Sequence, residues 1–369
     1  SNELGDDMSS GAVHLIHGDG NLHPGGPYHD NWPISVASAP FYPFVGEGIT
    51  SPVAMADING DGKADLAAAG QAGNMYIWDG IQPERESGFD GVPLLILNSS
   101  SRGHLSDVAG ATDLPLLNTF AAASFGDIDQ DGRPELVTGG AGLSLALNLA
   151  GGHQNLPFAH QVGAWETQTG TMIPGFPREI DDYLFFVNPS VVNVDADPYP
   201  EVVVGSGGSF VRAWNACGEE AAGFPKFTGG WITSAVAAGD LDGDGLLEIV
   251  VTTRAGYLFA WNTDASVDSP QPWPEYRHDN HNTGNYEAAL SNGGVATPLA
   301  EPIECPAPPT PDAGVDGGDA GPDGGPTGEL GGGGCSCRVA PRRPSTPFEI
   351  GFGAALGLAL ALRRARRRR

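Results

Sequence analysis

The chain has 369 residues, including 55 Gly and 31 Pro, and only 17% of its residues are charged. This Gly and Pro content argues against a helical bundle or a coiled coil, since both need long stretches without these residues. The formal net charge is −27, and residues 1–334 hold 9 basic and 44 acidic side chains. Such a surface repels phosphate backbones, which excludes nucleic-acid binding by this part of the chain, and it attracts cations.

Residues 1–26 are similar to the end of a repeat unit that occurs further along the chain. Val13–Gly20 resembles Val211–Asn215, with His17 in the place of Trp214. The stretch shows neither an initiator Met nor a signal peptide, although the C-terminal features described below predict export. We therefore expect residues 1–26 to be the last strand and loop of a truncated unit, in the C-terminal part of a longer precursor.

Residues 27–290 contain four acidic loops of nine residues, each followed by a short apolar run. Side-chain oxygens at positions 1, 3, 5 and 9 and the backbone carbonyl at position 7 are the candidate cation ligands. In loop order these residues are Asp57, Asn59, Asp61, Lys63 and Asp65; Asp127, Asp129, Asp131, Arg133 and Glu135; Asn193, Asp195, Asp197, Tyr199 and Glu201; and Asp240, Asp242, Asp244, Leu246 and Glu248. Position 1 is followed after 21, 38, 21 and 21 residues by Trp78, Trp165, Trp214 and Trp261. This shared spacing indicates an internal repeat.

Aromatic–Pro pairs provide a second landmark, which we interpret as the opening of successive repeats. They lie at Trp32–Pro33, Phe176–Pro177, Phe224–Pro225 and Trp273–Pro274. The residues after the loops alternate in polarity and are rich in β-branched side chains, which predicts strands. Units of about 50 residues, made of short strands and Gly turns, predict an all-β chain folded as a β-propeller.

The acidic loops favour Ca²⁺ on chemical grounds, because clustered carboxylate and carbonyl oxygens are hard ligands. Gly62, Gly132 and Gly245 at position 6 allow a sharp turn with positive φ. The alternative is a set of ordinary polar turns rich in Asp and Gly. The loop occurs four times, each time followed by a Trp, and this repetition favours the metal-binding interpretation.

Two other calcium-binding loops share part of this pattern, and both are excluded. An EF-hand needs a Glu at position 12 and flanking helices, and a dockerin-type loop also leads into a helix. Position 12 of the four loops is instead occupied by Ala68, Thr138, Val204 and Val251. The third loop has Asn193 at position 1 and Pro198 where the others have Gly, so we expect its site to be weaker or empty.

The repeats resemble the FG-GAP, or VCBS-type, repeats of integrin-α-like propellers. The second repeat carries Phe125-Gly126 before its acidic loop and Gly139-Gly140-Ala141 after it, and the resemblance covers roughly residues 12–290. It implies a propeller in which each hairpin loop binds one Ca²⁺. The four blades visible in the sequence would then be the C-terminal part of a propeller with six or seven blades.

Other candidate sites have simpler explanations. The four Trp could stack on carbohydrate, but their fixed offset favours packing between neighbouring blades. His278, Asp279 and His281 could hold a transition metal, but no third imidazole or thiolate is nearby in the sequence. Gly205-Ser206-Gly207-Gly208 lacks the spacing of a nucleophile elbow, and the chain has no P-loop. We therefore expect no enzyme activity within these residues.

Residues 291–334 are predicted to form a flexible linker, because 306–334 contain 11 Gly and 6 Pro in 29 positions. Residues 335–369 carry a Cys motif, an apolar stretch at 348–362 that we expect to be a short transmembrane helix, and a terminal Arg cluster. Fifteen helical residues span about 22 Å, less than the ~30 Å hydrocarbon core of a bilayer. The stretch is therefore short for a permanent membrane anchor.

The tail resembles a C-terminal sorting signal of the Myxo-CTERM type, which has the same order of Gly run, Cys motif, apolar helix and Arg cluster. The resemblance implies an inner-membrane precursor that a sorting protease cuts near Cys335 or Cys337, followed by delivery to the cell surface, the outer membrane or the extracellular space. An uncut membrane anchor is the alternative. Outside the cytoplasm Cys217 and Cys305 could form a disulfide, although sequence alone does not establish their proximity.

The leading functional interpretation is a surface-displayed propeller, stabilised by Ca²⁺, that acts as a binding or adhesion module. Its partner would be a protein or a polysaccharide at the cell surface. The alternatives are an accessory propeller of a secreted hydrolase whose catalytic domain lies upstream, and a rigid spacer on the envelope. The sequence does not identify the ligand, because propeller specificity lies in variable loops.

Overall fold

The computed structural model describes residues 12–35, 49, 51–69, 75–80, 95–97, 116–117, 121–142, 160–170, 172–184, 187–290, 294 and 300–306. These residues form strands and turns, with one three-residue 3₁₀ helix at Gly20–Leu22. The predicted all-β class is therefore confirmed for them. None of their helical structure is long and apolar enough to cross a membrane.

A first compact unit spans Ser1–Pro308 and contains every described residue. Several predictions made from the sequence lie outside the described residues. They are the start of the truncated unit at 1–11, most of the linker, the cleavage region at Cys335 and Cys337, and the apolar helix at 348–362.

The described residues contain an N-terminal ribbon and four antiparallel sheets. The ribbon pairs β1 (Ala12–Val13) with β2 (Ile34–Ser35). The first sheet has the order β3 (Ala54–Ala56), β4 (Asp65–Ala69), β5 (Met75–Trp78) and β6 (Leu95–Leu97). The second sheet contains β7 (Leu116–Leu117), β8 (Ser124–Gly126), β9 (Glu135–Gly142), β10 (His160–Trp165) and β11 (Arg178–Ile180). The third contains β12 (Ser190–Val192), β13 (Glu201–Gly205), β14 (Phe210–Trp214) and β15 (Lys226–Phe227), and the fourth contains β16 (Ala237–Gly239), β17 (Leu246–Thr252) and β18 (Leu258–Ser266).

Neighbouring sheets pack face to face in chain order, as alternate residues of one strand show. Val202 and Val204 of β13 belong to the apolar cluster shared with the first and second sheets, whereas Val203 belongs to the cluster shared with the fourth. Leu66 of β4 packs with the N-terminal ribbon and Ala67 packs towards the second sheet. Strands buried on both faces explain why these segments are continuous Val and Ala runs. The arrangement is consistent with a β-propeller.

Each acidic loop joins an inner strand to the second strand of its sheet, as the sequence predicted. The loops connect β3 to β4, β8 to β9, β12 to β13 and β16 to β17, and every one of these pairs is antiparallel. Trp78, Trp165 and Trp214 end the third strand of their sheets and are at most 3% exposed. Their burial agrees with a packing role.

The interpretation of the aromatic–Pro pairs as openings of repeats is wrong. Trp32–Pro33, Phe176–Pro177 and Phe224–Pro225 are cis and lead directly into β2, β11 and β15. Each of these strands pairs with the strand that precedes it in the same sheet or ribbon. The motif therefore begins the outer strand of a unit, and the next unit starts only after it.

Residues 270–290 and 300–305, which we call the inner segment, lie against the inner strands of the sheets. Trp273 exchanges both backbone hydrogen bonds with Val191 of β12, and Pro274 O accepts from Ala238 of β16. Met55 of β3 donates to Gly284 O and accepts from Tyr286. The segment thus contacts the first, third and fourth sheets through backbone hydrogen bonds.

Candidate metal centres

All four acidic loops share one hydrogen bond between a backbone N–H and a carboxylate. The N–H at position 2 donates to the side chain at position 9, at the start of the second strand. The pairs are Ile58–Asp65 (3.1 Å), Ile128–Glu135 (2.8 Å), Val194–Glu201 (2.9 Å) and Leu241–Glu248 (2.8 Å). None of the four carboxylates is more than 5% exposed. The strand therefore anchors an acidic group that points back into the loop.

Positions 3 and 5 are fixed by side-chain-to-backbone turns, the local bonds that Asn and Asp favour. Oδ1 of position 3 accepts from the N–H of position 5 in the pairs Asn59–Asp61, Asp129–Asp131, Asp195–Asp197 and Asp242–Asp244, at 2.9–3.1 Å. Oδ1 of position 5 accepts from position 7 in the pairs Asp61–Lys63, Asp131–Arg133, Asp197–Tyr199 and Asp244–Leu246, at 2.8–2.9 Å. The ligand role of the position 7 carbonyls stays a prediction.

Glycine at position 6 has the conformation that the sequence predicted. Gly62, Gly132 and Gly245 have φ values of 82°, 92° and 89°, in the region that side chains with a Cβ disfavour. Their N–H groups donate to Oδ2 of position 1 in the pairs Gly62–Asp57 (2.8 Å), Gly132–Asp127 (2.9 Å) and Gly245–Asp240 (3.1 Å). These backbone N–H groups thus stabilise the negative charge of the Asp side chain at position 1.

The third loop reaches a similar shape with different chemistry. Pro198 has no N–H, so nothing at position 6 can donate to position 1. Position 1 is Asn193, whose Nδ2 donates to the Asp197 carbonyl at 2.5 Å and whose Oδ1 accepts from Asp195 N–H at 3.0 Å. An amide therefore replaces the carboxylate in the loop that lacks the backbone donor.

Three carboxylates converge in each of the last three loops, with one oxygen of each within 4.8 Å of the others. The groups are Asp127, Asp129 and Glu135; Asp195, Asp197 and Glu201; and Asp240, Asp242 and Glu248. Oε1 of Glu135, Glu201 and Glu248 is buried without a hydrogen-bond partner, as is Oδ1 of Asp127. Buried carboxylate oxygens need a donor or a cation. These clusters therefore fit a metal ion that prefers hard oxygen ligands.

Burial shifts the pKa values of several carboxylates in the second and third loops towards the neutral form. Burial, with a smaller contribution from Asp129 and Asp131, raises the pKa of Asp127 to about 7 against the opposing Gly132 N–H. Burial also raises the pKa of Glu135 and Glu201 well above the ordinary range. Without a cation, the folded chain therefore keeps protons on these loops at a pH where exposed carboxylates are ionised.

In the first loop a buried carboxylate from outside the loop approaches position 3. Asp79, which follows Trp78 and is 2% exposed, accepts from Nδ2 of Asn59 at 3.1 Å. Asp65 is 1% exposed, and burial, followed by Asp79 and Asp61, raises its pKa to about 7 against the N–H groups of its neighbours. Asp79 was not among the site residues predicted from the sequence.

A repeated polar residue after each Trp is the signal that could have revealed Asp79. These residues are Asp79, Glu166, Asn215 and Asn262. Burial and the charges of Asp129 and Asp131 raise the pKa of Glu166, so this side chain also lies close to its loop. Asn215 instead accepts from Cys217 and Glu219 N–H in its own turn, at 3.0 Å each.

The inner segment also contacts the loops, which the sequence did not predict. Oε1 of Glu287 accepts from Asp57 N–H at 2.6 Å, and Ile303 N–H donates to the Asp129 carbonyl at 2.9 Å. Burial, with the charges of Asp127 and Glu135, raises the pKa of Tyr286. Residues far apart in the sequence therefore border the first and second loops.

His278 and Asp279 form a buried turn rather than a convergent set of metal ligands. Nδ1 of His278 lies 3.1 Å from Oδ2 of Asp279, which also accepts from the Thr283 hydroxyl. Burial alone would raise the pKa of Asp279, but hydrogen bonds from Thr283, His278 and His281 lower it to about 2. Among the described residues, the second, third and fourth acidic loops are the places where three His, Cys, Asp or Glu ligand atoms converge.

Cys217 and Cys305 form a disulfide, with a sulfur–sulfur distance of 2.01 Å. Cys217 follows β14 of the third sheet, and Cys305 ends the part of the inner segment that the structure describes. The bond therefore ties this segment covalently to the third sheet.

Comparison with known proteins gives a family match for part of the chain. A search of curated proteins gave no match. The chain is similar to a crystal structure of BBS1N in complex with ARL6DN soaked with mercury, at 15% identity and a TM-score of 0.35, covering 61% of this chain and 56% of that one. A lead-soaked crystal of the same complex gives 16% identity, a TM-score of 0.35 and the same coverage. The chain thus spans little more than half of the length of those structures. Residues 193–251, which hold the third and fourth loops, match the family model described as FG-GAP-like repeat, as their sequence pattern predicted.

Proposed function

We propose that this chain is a propeller-type binding module whose acidic loops hold Ca²⁺. The observation that carries the proposal is the buried Oε1 of Glu135, Glu201 and Glu248, which has no hydrogen-bond partner in three loops of the same design. In each loop, backbone N–H groups donate to the other carboxylate oxygen of position 9 and to the side chains at positions 3 and 5. A cation would satisfy the buried oxygens that have no donor.

The donor set favours Ca²⁺ over softer metals. Carboxylate, amide and carbonyl oxygens are the ligands that Ca²⁺ takes, six to eight at a time, whereas zinc and copper sites use imidazole or thiolate. In each loop the ligands would be positions 1, 3, 5 and 9 with the carbonyl of position 7. Calcium would neutralise the clustered charge and hold the inner hairpin of each sheet closed.

The end of the sheets opposite the acidic loops supports a binding role. Successive loops of an antiparallel sheet lie at opposite ends, so the turns after β13 and β17 are far from the acidic loops. At this end the Arg254 guanidinium lies 5.3 Å from the Trp231 ring centre, and Trp231 Nε1 donates to Asp182 at 3.2 Å. Tyr257 is 67% exposed beside them. Aromatic rings bordered by charged groups suit a polysaccharide or a protein surface.

Display outside the cytoplasm is part of the proposal. The disulfide between Cys217 and Cys305 supports an oxidising compartment, since such bonds are rare in the cytosol. The sorting tail at residues 335–369 would anchor the precursor in the inner membrane and be removed near Cys335 or Cys337. Mass spectrometry of the mature surface protein tests this: peptides from residues 348–362 on the released form would contradict removal of the tail.

Calcium binding is tested by isothermal titration of metal-free protein, together with thermal unfolding in Ca²⁺, in Mg²⁺ and in chelator. Glu135→Gln and Glu248→Gln should each reduce the number of bound Ca²⁺ ions by one, while Asp197→Ala should change the count little. Glu179→Gln, an exposed residue on β11, is the matched control. Unchanged ion counts in both loop variants, or a melting temperature that chelator does not move, would contradict the proposal.

The binding surface is tested with a panel of immobilised polysaccharides and surface proteins. Trp231→Ala should weaken retention of the chain on its ligand at least tenfold. Tyr28→Ala removes an aromatic side chain that is 41% exposed between β1 and β2 of the N-terminal ribbon and should leave retention unchanged. Equal losses in both variants would place the binding surface elsewhere.

A further inference from the structure

We propose that Asp79 positions the Asn59 amide so that its oxygen, and not its nitrogen, faces the calcium site of the first loop. Asp79 is thus a positioning residue and not itself a ligand. The inference rests on the calcium function proposed above. It concerns a contact between the third strand of the first sheet and the acidic loop.

The need for such a residue follows from the chemistry of position 3. That position is Asp129, Asp195 or Asp242 in the other loops, and both oxygens of a carboxylate can accept. Asn59 has one oxygen and one NH₂ group on its amide. Only one of its two orientations presents an acceptor to a cation.

Two contacts select the same orientation of the Asn59 amide. Nδ2 donates to Oδ2 of Asp79 at 3.1 Å, and Oδ1 accepts from Asp61 N–H at 2.9 Å. Reversing the amide would set its oxygen against the Asp79 carboxylate and its NH₂ against the Asp61 N–H. The carboxylate that follows Trp78 therefore stabilises the orientation that the site needs.

The environment of Asp79 makes this contact strong. Asp79 is 2% exposed, and a hydrogen bond to a buried carboxylate is stronger than one between neutral groups. The chain beside it is tightly packed: a Cβ at Gly80 would lie 2.2 Å from the Ala64 carbonyl oxygen. The end of β5 is thus held against the loop, so Asp79 cannot move away without displacing the backbone.

The other sheets show no equivalent contact among the described residues. Asn215 uses its side-chain oxygen in its own turn, and Asn262 is exposed. Glu166 lies near the second loop, whose position 3 is Asp129. The first loop therefore combines an amide at position 3 with a buried carboxylate after the Trp, a combination that the other three loops lack.

A double-mutant cycle tests the role of Asp79. Calcium is titrated into full-length protein, and the backbone N–H resonances of Gly62, Gly132 and Gly245 report the first, second and fourth loops separately. Each of these groups donates to position 1 of its own loop. Asp79→Ala, which removes the acceptor, should raise the Kd reported by Gly62 about tenfold, the lower end of the effect of removing a group that orients a metal ligand. Gly132 and Gly245 should report unchanged affinities.

The same change in an Asn59→Asp background should cause no loss, since a carboxylate at position 3 needs no orienting partner. The double variant Asn59→Asp/Asp79→Ala also keeps the net charge of the wild type. An equal loss in both backgrounds would overturn the inference, because it would show that Asp79 acts through charge or folding alone. Calcium shifts at Gly132 and Gly245 without one at Gly62 would also overturn it, whereas no shift at any of the three would overturn the calcium proposal itself.

Discussion

The second and third acidic loops reach similar carboxylate clusters from different sequences. The second loop contributes positions 1, 3 and 9 to its cluster, with Gly132 N–H fixing Asp127. The third contributes positions 3, 5 and 9, because Asn193 at position 1 bonds within the loop and Pro198 offers no N–H. The two loops thus share three convergent carboxylates that include positions 3 and 9, whereas the third carboxylate comes from position 1 in one loop and from position 5 in the other.

Removal of calcium should have the largest effect on stability, and the second loop should contribute more to that effect than the third. A ligand that binds only the folded state adds about 2.7 kcal/mol per site at 100 times its Kd. Chelator should therefore lower the melting temperature strongly, and Glu135→Gln should reproduce more of that loss than Glu201→Gln. We would measure the melting temperature of both variants over a range of free Ca²⁺. Equal effects of the two variants would show that the third loop binds as tightly as the second.

Loss of the disulfide should have the next largest effect, and it should fall on the second loop. The bond ties Cys305 to the third sheet, while Ile303, two residues earlier, donates to the Asp129 carbonyl. Removing a native disulfide costs about 2–5 kcal/mol in small secreted domains. Cys217→Ser should therefore lower the stability in denaturant and weaken calcium binding at the second loop. A calcium affinity reported by Gly132 that equals the wild-type value would refute the link between the disulfide and this loop.

Giving the third loop the residues that the second loop has at positions 1 and 6 should increase its affinity for calcium. Pro198→Gly restores the N–H at position 6, and Asn193→Asp restores the carboxylate that it would bind. The double variant should bind calcium at the third loop at least tenfold more tightly than the wild type. Asn193→Asp alone should not, because it loses the bond to the Asp197 carbonyl and leaves a carboxylate without a backbone donor. Isothermal titration of the wild type and the two variants distinguishes these outcomes.

The stability of the metal-free protein should depend on pH, and so should the stabilising effect of calcium. Asp65 and Asp127 have pKa values raised by burial to about 7 in the folded chain, against an ordinary value of 3.8. Between these values the folded state binds protons that the unfolded state has lost, so the free energy of unfolding of metal-free protein falls as pH rises from 4 to 7. Calcium displaces those protons, so its stabilising effect should grow over the same range. Melting curves at pH 5, 6, 7 and 8 in chelator and in Ca²⁺ test both trends, and a constant calcium effect would contradict them.

The sequence predicted the parts of the fold that depend on local chemistry. Asp, Asn and Gly at fixed positions specify a loop such as 57–65 through bonds within nine residues, and β-branched runs such as Val202–Val204 specify the strand that follows. Phe176–Pro177 was assigned to the wrong unit because local sequence does not reveal whether the strand that it begins pairs with the preceding strand or with the following one. Asp79 was not predicted because its role depends on a contact between the end of β5 and the first loop. The repeat pattern shows only that a polar residue follows each Trp.

The inner segment has a consequence for how the chain folds. Glu287 bonds to Asp57, 230 residues away, and Trp273 pairs with Val191. In solenoid repeats each unit contacts only its neighbours, so stability adds unit by unit. Here the last part of the first compact unit pairs with strands near its beginning, which gives a high contact order and slow folding. During synthesis, the inner edges of β3, β12 and β16 would stay unpaired until residues 270–290 leave the ribosome, a period in which exposed strand edges favour association with other chains.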